Sequence, residues 1–238
     1  MVKMVTDSAM LLAAGMGTRM RHLTKSQPKP LVKVSGKALV DYALDHLEGA
    51  EISEVVINVH YLADKLVRHL ANRSSPRIKI SCERDTLLET GGGMVNALPL
   101  LRDPFFALNS DNIWFDTGTN VFELLSAYWE PGKMDALLLV LPRENANNYN
   151  GAGDFSLDAN GKLIRAISGK TAPYVFTGIQ LVSHNLMKDS PKGPFSTNVL
   201  WDRAIKEGRL FGVIFDGKWY EVGSPEAVAA TEEAIGCD

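Results

Sequence analysis

The chain has 238 residues with 25 Lys and Arg against 28 Asp and Glu, a formal charge of −3. That slight acid excess argues against a nucleic-acid partner, which calls for a surplus of cations. With 45% hydrophobic and 22% charged residues, the composition excludes disordered, collagen-like and coiled-coil chains and leaves one large α/β domain or two small ones. Two cysteines, Cys82 and Cys237, are too few for a disulfide framework and have no zinc spacing, which suits a reducing cytoplasm. The most apolar early run, Ala9 to Ala14, is too short to span a bilayer, and Asp7 before it disfavours a signal peptide. A soluble, unsecreted protein without a membrane partner is expected.

In chain order, Ala9 to Leu12 reads as a buried strand followed by a long loop through Pro30. Val40, Ala43, Leu44 and Leu47 recur at i, i+3, i+4, i+7, the apolar stripe of a helix that Gly49 suits as an end. Val55 to Ile57 is the next strand, Leu62, Leu66, Val67 and Leu70 form a second helical stripe, and Ile78 to Ile80 form a third strand. Gly91-Gly92-Gly93 opens a helix over Met94 to Leu98, and Phe105 to Leu108 is the continuous apolar run of a strand buried on both faces. This alternation predicts βαβ units and a doubly wound, mostly parallel sheet flanked by helices. Beyond Leu141, runs at Asp154 to Leu157, Leu163 to Ile167 and Tyr174 to Val182 lie closer together, as antiparallel strands and hairpins do. A helix over Thr197 to Glu207, a strand over Phe211 to Phe215, and a last helix capped by Ser224 with Pro225 at its first position complete the reading.

Ligands of such sheets sit outside the carboxyl ends of the parallel strands, so the loops after Leu12, Ile80 and Leu108 carry the function. The first reads Leu12-Ala13-Ala14-Gly15-Met16-Gly17-Thr18-Arg19-Met20, with Lys29-Pro30 ten residues beyond the arginine. Glycines admit phosphate oxygens to backbone amides, and the Arg and Lys supply charge for a triphosphate. Two rival loops fail on spacing. The third glycine of a dinucleotide fingerprint is Met20 here, and no Gly-Lys-Ser/Thr ends a Walker loop. Asp111, placed directly after a buried strand, is positioned for a hard cation bridging to phosphate oxygens. The four tryptophans read as packing, and the five histidines show no ligand spacing.

The loop with its Lys29-Pro30 resembles the signature of the sugar-phosphate nucleotidyltransferases, which join a nucleoside triphosphate to a sugar 1-phosphate and release pyrophosphate. Glu89-Thr90-Gly91-Gly92-Gly93, Asn109-Ser110-Asp111-Asn112, Gly153-Asp154-Phe155, Phe176-Thr177-Gly178-Ile179 and Trp219-Tyr220-Glu221-Val222-Gly223 follow in the family's order and cover nearly the whole chain. The length and the Leu88 to Gly93 run look most like the branch that transfers uridylyl groups to N-acetylmuramate 1-phosphate in cell-wall sugar recycling.

The resemblance implies one Rossmann-like nucleotidyltransferase domain over residues 1–238, nucleotide-binding to about 115 and sugar-binding beyond, acting as a monomer or small homo-oligomer. It implies that Arg19, Lys29 and Asp111 are catalytic, and that Ala13, Ala14, Gly15, Gly17 and Thr18 hold the nucleotide with Arg19 and Lys29. Glu83, Glu89, Thr90 and Gly91 then line base and ribose, while Asn109, Gly153, Lys170, Thr177 and Gly178 touch the sugar. Mg²⁺ is the implied cofactor, on Asp111 and on Glu221, where the family usually carries a second aspartate. Guanylyl-type members often read Leu-Ala-Gly-Gly in the first loop, so Leu12-Ala13-Ala14-Gly15 favours uridine triphosphate. The alternatives are a mannose 1-phosphate guanylyltransferase and a nucleotide-sugar binding protein without turnover.

Overall fold

In the computed structural model, which describes residues 3–236 and so leaves Cys237 outside, the first half runs β1 (Ser8–Leu12), β2 (Lys33–Val34), β3 (Lys37–Ala38), α1 (Leu39–Gly49), β4 (Glu54–Val59), α2 (Ala63–Leu70), β5 (Arg77–Cys82), α3 (Glu89–Ala97) and β6 (Phe105–Asn109). There follow β7 (Asn112–Phe115), α4 (Val121–Tyr128), β8 (Ala136–Pro142), β9 (Ala146–Asn147), β10 (Phe155–Leu157), β11 (Leu163–Arg165) and β12 (Tyr174–Val182). The chain ends with α5 (Thr197–Lys206), β13 (Leu210–Ile214), β14 (Lys218–Glu221) and α6 (Pro225–Gly236). Seven elements, β2, β3, β7, α4, β8, β9 and β14, lie where the hydropathy reading assigns none.

One nine-stranded sheet passes through both halves of the chain. The strands β5, β4, β1 and β6 are parallel neighbours, and β12 runs antiparallel to both β6 and β8. The hairpin β10–β11 extends from the start of β12, and β13 returns parallel to β8. Alternation along the central strands explains why both faces are covered. Phe106 and Leu108 of β6 pack with α1, α2 and α4, whereas Phe105 and Ala107 pack with α3 and α5. A strand this apolar is stable only between two layers, each buried large side chain contributing about 1.5–3 kcal/mol.

Leu62, expected in the second helical stripe, sits before α2 at φ 49 in the left-handed region. The four tryptophans are buried, with Trp201 Nε1 donating to Gln180 Oε1 at 3.1 Å and Trp219 Nε1 to the Thr177 carbonyl at 2.8 Å. No helix among the described residues is long and apolar enough to cross a membrane.

Trp114, on β7, stacks on His46 with ring centroids 4.2 Å apart, and His46 Nδ1 lies 3.7 Å from Asp116 Oδ2. Burial pushes Asp116 up to about 6 from its ordinary 3.8, and burial also holds His46 below its usual value. The native state therefore binds the Asp116 proton more tightly than the unfolded chain does. Its contribution to stability is fully present below about pH 4 and is lost as pH rises through about 6. Asp116→Asn should stabilise the protein at pH 8 by roughly 1–3 kcal/mol. That advantage should close toward pH 4, as thermal unfolding of both proteins across this range will show.

Candidate active site

Beyond the carboxyl ends of β1, β4 and β6 lies a cavity of about 450 Å³. Its walls begin with the loop after β1. The Leu12 carbonyl accepts from Ser110 through its N–H at 3.2 Å and its Oγ at 2.8 Å, tying that loop to the one after β6. Ala13 N–H donates to Asn58 Oδ1 at 2.7 Å, which fixes the start of the loop against β4. Gly17 takes φ +63, and a Cβ there would stand 2.9 Å from the Cβ of Lys29, so glycine lets the two cationic segments lie against each other. Ala13, Ala14, Gly15, Gly17, Thr18, Arg19 and Lys29 all line the cavity, with Asn109 and Asp111 across from them.

Two ion pairs meet here: Lys29, Asp111 and Arg19 line the cavity, whereas Glu221 stands outside its lining and reaches it through Arg19. Lys29 Nζ donates to Asp111 Oδ2 at 2.6 Å, and Arg19 Nη1 stands 3.5 Å from Glu221 Oε1. The lysine side chain is only 12% exposed and the arginine 70%, so the first pair is held and the second is free to rearrange. Pairing of β7 with β14 sets Glu221 opposite Asn112, and Val222 N–H donates to the Asp111 carbonyl at 2.9 Å, so the two carboxylates share one edge. Burial, and then the charge of Asp111, push the Glu221 carboxyl above its ordinary value. Two carboxylates that repel one another in this way suit a divalent cation. Among the described residues no group of three or more His, Cys, Asp or Glu could hold a metal. A magnesium ion on Asp111 and Glu221 would therefore need substrate oxygens or water to complete its shell, which is how magnesium commonly binds.

Other expected contacts take different places. Glu83 is buried behind the wall, its Oε1 accepting from Asn58 Nδ2 at 2.8 Å and its Oε2 from Leu88 N–H at 3.0 Å. It braces the site and does not line it. Gly91 also lies off the cavity: its N–H and that of Gly92 both donate to the Phe195 carbonyl, at 2.9 and 3.1 Å, so these amides of α3 are not open to an anion. The glycine run serves packing. A Cβ at Gly91 would overlap the Phe195 ring, one at Gly92 would reach 2.6 Å from the Gly193 carbonyl oxygen, and one at Gly93 would reach 2.8 Å from Glu83 Oε1. Thr90 and Glu89 do line the cavity, Thr90 Oγ1 accepting from Thr197 N–H at 2.9 Å. Glu89 stands at φ 59, a left-handed conformation that costs a residue with a Cβ about 1–2 kcal/mol.

On the sugar side, Thr177 is fully buried with Oγ1 donating to the Leu139 carbonyl at 2.9 Å, so its side chain faces the core and not a ligand. Gly178 forms a bulge of β12 at φ +85 beside Asn109 and Asn112. Gly153 N–H is spent on Tyr149 Oη at 3.2 Å, and Lys170 is exposed on a turn away from the cavity. Seven lining residues stand outside the expected site residues: Leu12, Pro30, Asn58, Leu87, Ser110, Ser196 and Gly223. Asn58 could have been read from its place at the end of an expected parallel strand.

Residues 8–236 match the model of the Nucleotidyl transferase family. The chain is 42% identical over 232 residues to an N-acetylmuramate alpha-1-phosphate uridylyltransferase of Caulobacter vibrioides, covering 95% of this chain and 96% of that one. It is 31% identical to the protein of the same name in Neisseria meningitidis serogroup B, covering 91% and 93%. The crystal structure of a putative glucose-1-phosphate thymidylyltransferase from Bacillus anthracis shares the fold, with a TM-score of 0.80 at 16% identity over 97% of this chain and 96% of that one.

Proposed function

Given that the chain belongs to the nucleotidyl transferase family, we propose that it joins uridine triphosphate to N-acetylmuramate 1-phosphate and releases pyrophosphate. The observation that carries this reading is the pairing of Lys29 with Asp111 in the wall of one cavity, beside Arg19, which pairs with Glu221. Support for the choice of substrates comes from the relative sharing 42% of its sequence and from the Leu88 to Gly93 run.

A phosphate oxygen of the sugar ester attacks the α-phosphorus in line with the departing pyrophosphate. The second pKa of a phosphate monoester is about 6, so the nucleophile is already dianionic near neutrality and needs no general base. What the chain must supply is positioning and charge, because two polyanions have to be brought within bonding distance. Arg19, whose side chain is exposed, offers a planar fork to the outer phosphates. Lys29, held in the cavity wall, offers a compact charge to the reacting ones. Asp111 and Glu221 would hold Mg²⁺, which supplies charge neutralisation at the phosphates. The compartment on this reading is the reducing cytoplasm, in keeping with Cys82 as a free, exposed thiol.

The test is a substrate matrix of four nucleoside triphosphates against the 1-phosphates of N-acetylmuramate, N-acetylglucosamine, glucose and mannose, scored by pyrophosphate release. Uridine triphosphate with the muramate ester should dominate. A best pair of guanosine triphosphate and mannose 1-phosphate would overturn the reading.

A further inference from the structure

The segment that follows Gly17 has no continuous helical ladder to fix its shape. Thr18 to Thr24 forms short 3-10 turns broken at Arg21, which stands at φ 51 and ψ −116. Such turns hold their backbone weakly. Arg19 lies inside this stretch with its side chain 70% exposed, so the place of its guanidinium depends on what holds the chain beneath it.

Thr24 supplies that hold. It is buried, its Oγ1 donates to the Gly17 carbonyl at 3.0 Å with the Arg21 carbonyl at 3.4 Å, and the same Gly17 carbonyl accepts from Met20 N–H at 2.9 Å. One hydroxyl thus closes the segment onto the glycine at its head. Thr24 is held in turn by Tyr61, on the connection between β4 and α2, whose Oη donates to the Thr24 carbonyl at 2.9 Å. Lys65 Nζ of α2 donates to the Ser26 carbonyl two residues further on. The near end of the same loop is fixed from the same strand, since Asn58 Oδ1 accepts from Ala13 N–H. Tyr61 is itself set firmly, between His60, whose Nδ1 lies 2.7 Å from the Glu83 carbonyl, and Leu62 in the left-handed region at φ 49. A left-handed leucine is a strained way to leave a strand, and it turns the chain into α2 immediately after the residue that reaches Thr24.

Neither Thr24 nor Tyr61 lines the cavity, so each must act through other residues. We infer that Tyr61 and Thr24 are positioning residues that set the Gly17 turn, and with it Arg19, for the triphosphate. This rests on the nucleotidyl-transfer reading above. The sheet order β12-β6-β1-β4-β5 puts β4 and its connection on the side of β1 away from β6 and β12, which carry Asn109 and Gly178. A change in the clasp is therefore felt by one substrate and not by the other.

Steady-state kinetics on the pair that the substrate matrix ranks first gives the test. Tyr61→Phe and Thr24→Val, each of which removes one hydroxyl and little shape, should raise KM for the triphosphate by roughly three- to tenfold, the scale of one neutral hydrogen bond. KM for the sugar 1-phosphate should stay within about twofold, and the thermal midpoint within about 2–4 °C. Thr24→Ser keeps the hydroxyl and should keep the wild-type KM. In the double variant the loss should match that of Thr24→Val alone, because Tyr61 acts on Gly17 only through Thr24. Equal shifts in both KM values, an unmoved triphosphate KM in Tyr61→Phe, a Thr24→Ser KM as high as that of Thr24→Val, or losses that multiply in the double variant each overturn the assignment and leave the reaction standing. A wild-type protein that turns over no pair in the matrix overturns the reaction and the assignment together.

Discussion

Asp111→Asn should lower kcat/KM for pyrophosphate release by on the order of 100- to 1000-fold, the usual loss when one preorganised electrostatic element is removed from a reacting centre. The substitution is nearly isosteric, so what changes is charge. Asp111 now faces Lys29 at 2.6 Å, and its charge is one cause of the raised Glu221 carboxyl. Neutralising it removes the repulsion felt by Glu221 and at the same time leaves the ammonium of Lys29, only 12% exposed, without its anion. These two effects oppose each other, so stability should change by only about 1–2 kcal/mol. The catalytic loss has no such compensation, because a second carboxylate at one edge cannot hold a divalent cation and position two phosphates unaided. Pyrophosphate release at saturating Mg²⁺, beside urea unfolding of both proteins, separates the two quantities. Near-wild-type turnover would remove Asp111 from the reaction.

Legibility in the sequence follows how local each feature's cause is. The strands β1, β4 and β6 are apolar on both faces, the pattern of strands covered by layers on both sides. The charged loops were equally readable, since parallel strands deliver whatever follows them to one edge. Asp111, Arg19 and Lys29 meet for that reason. By contrast, β7 and β14 are four-residue strands whose pairing joins Asn112 to Glu221 across more than a hundred residues, which no local pattern encodes. For α4 a signal was present but unused: Asn120 Oδ1 accepts from the N–H groups of Phe122 and Glu123, an N-cap that the residue order Asn-Val-Phe-Glu announces. Gly91 to Gly93 show a limit of another kind, because a glycine that admits a ligand and one that admits another stretch of chain look alike until the chain is folded. Thr177 is similar. The resemblance implies that Thr177 touches the sugar, and the register of β12 turns its hydroxyl toward the Leu139 carbonyl.

Gly178→Ala tests how far that bulge governs the site, and it is expected to destabilise the protein by about 2–5 kcal/mol. Backbone strain is one part: φ is +85, where a residue with a Cβ loses about 1–2 kcal/mol. Overlap is the other, since a Cβ would fall on Asn112 Nδ2 and lie 3.0 Å from Asn109 Nδ2. Asn112 cannot yield cheaply, because that nitrogen donates to the Thr177 carbonyl at 2.8 Å and its backbone carries the pairing with Glu221. Displacing Asn112 therefore moves the edge that presents Asp111 and Glu221, so activity should fall at temperatures where the variant is still fully folded. Gly36→Ala provides the comparison. Gly36 has nearly the same φ, +82, with nothing within 4 Å of its added Cβ, so only the strain remains and activity should be kept. Urea midpoints and pyrophosphate release for the two variants give the answer. Equal destabilisation with equal activity would mean that Asn112 and its strand do not couple the bulge to the carboxylates.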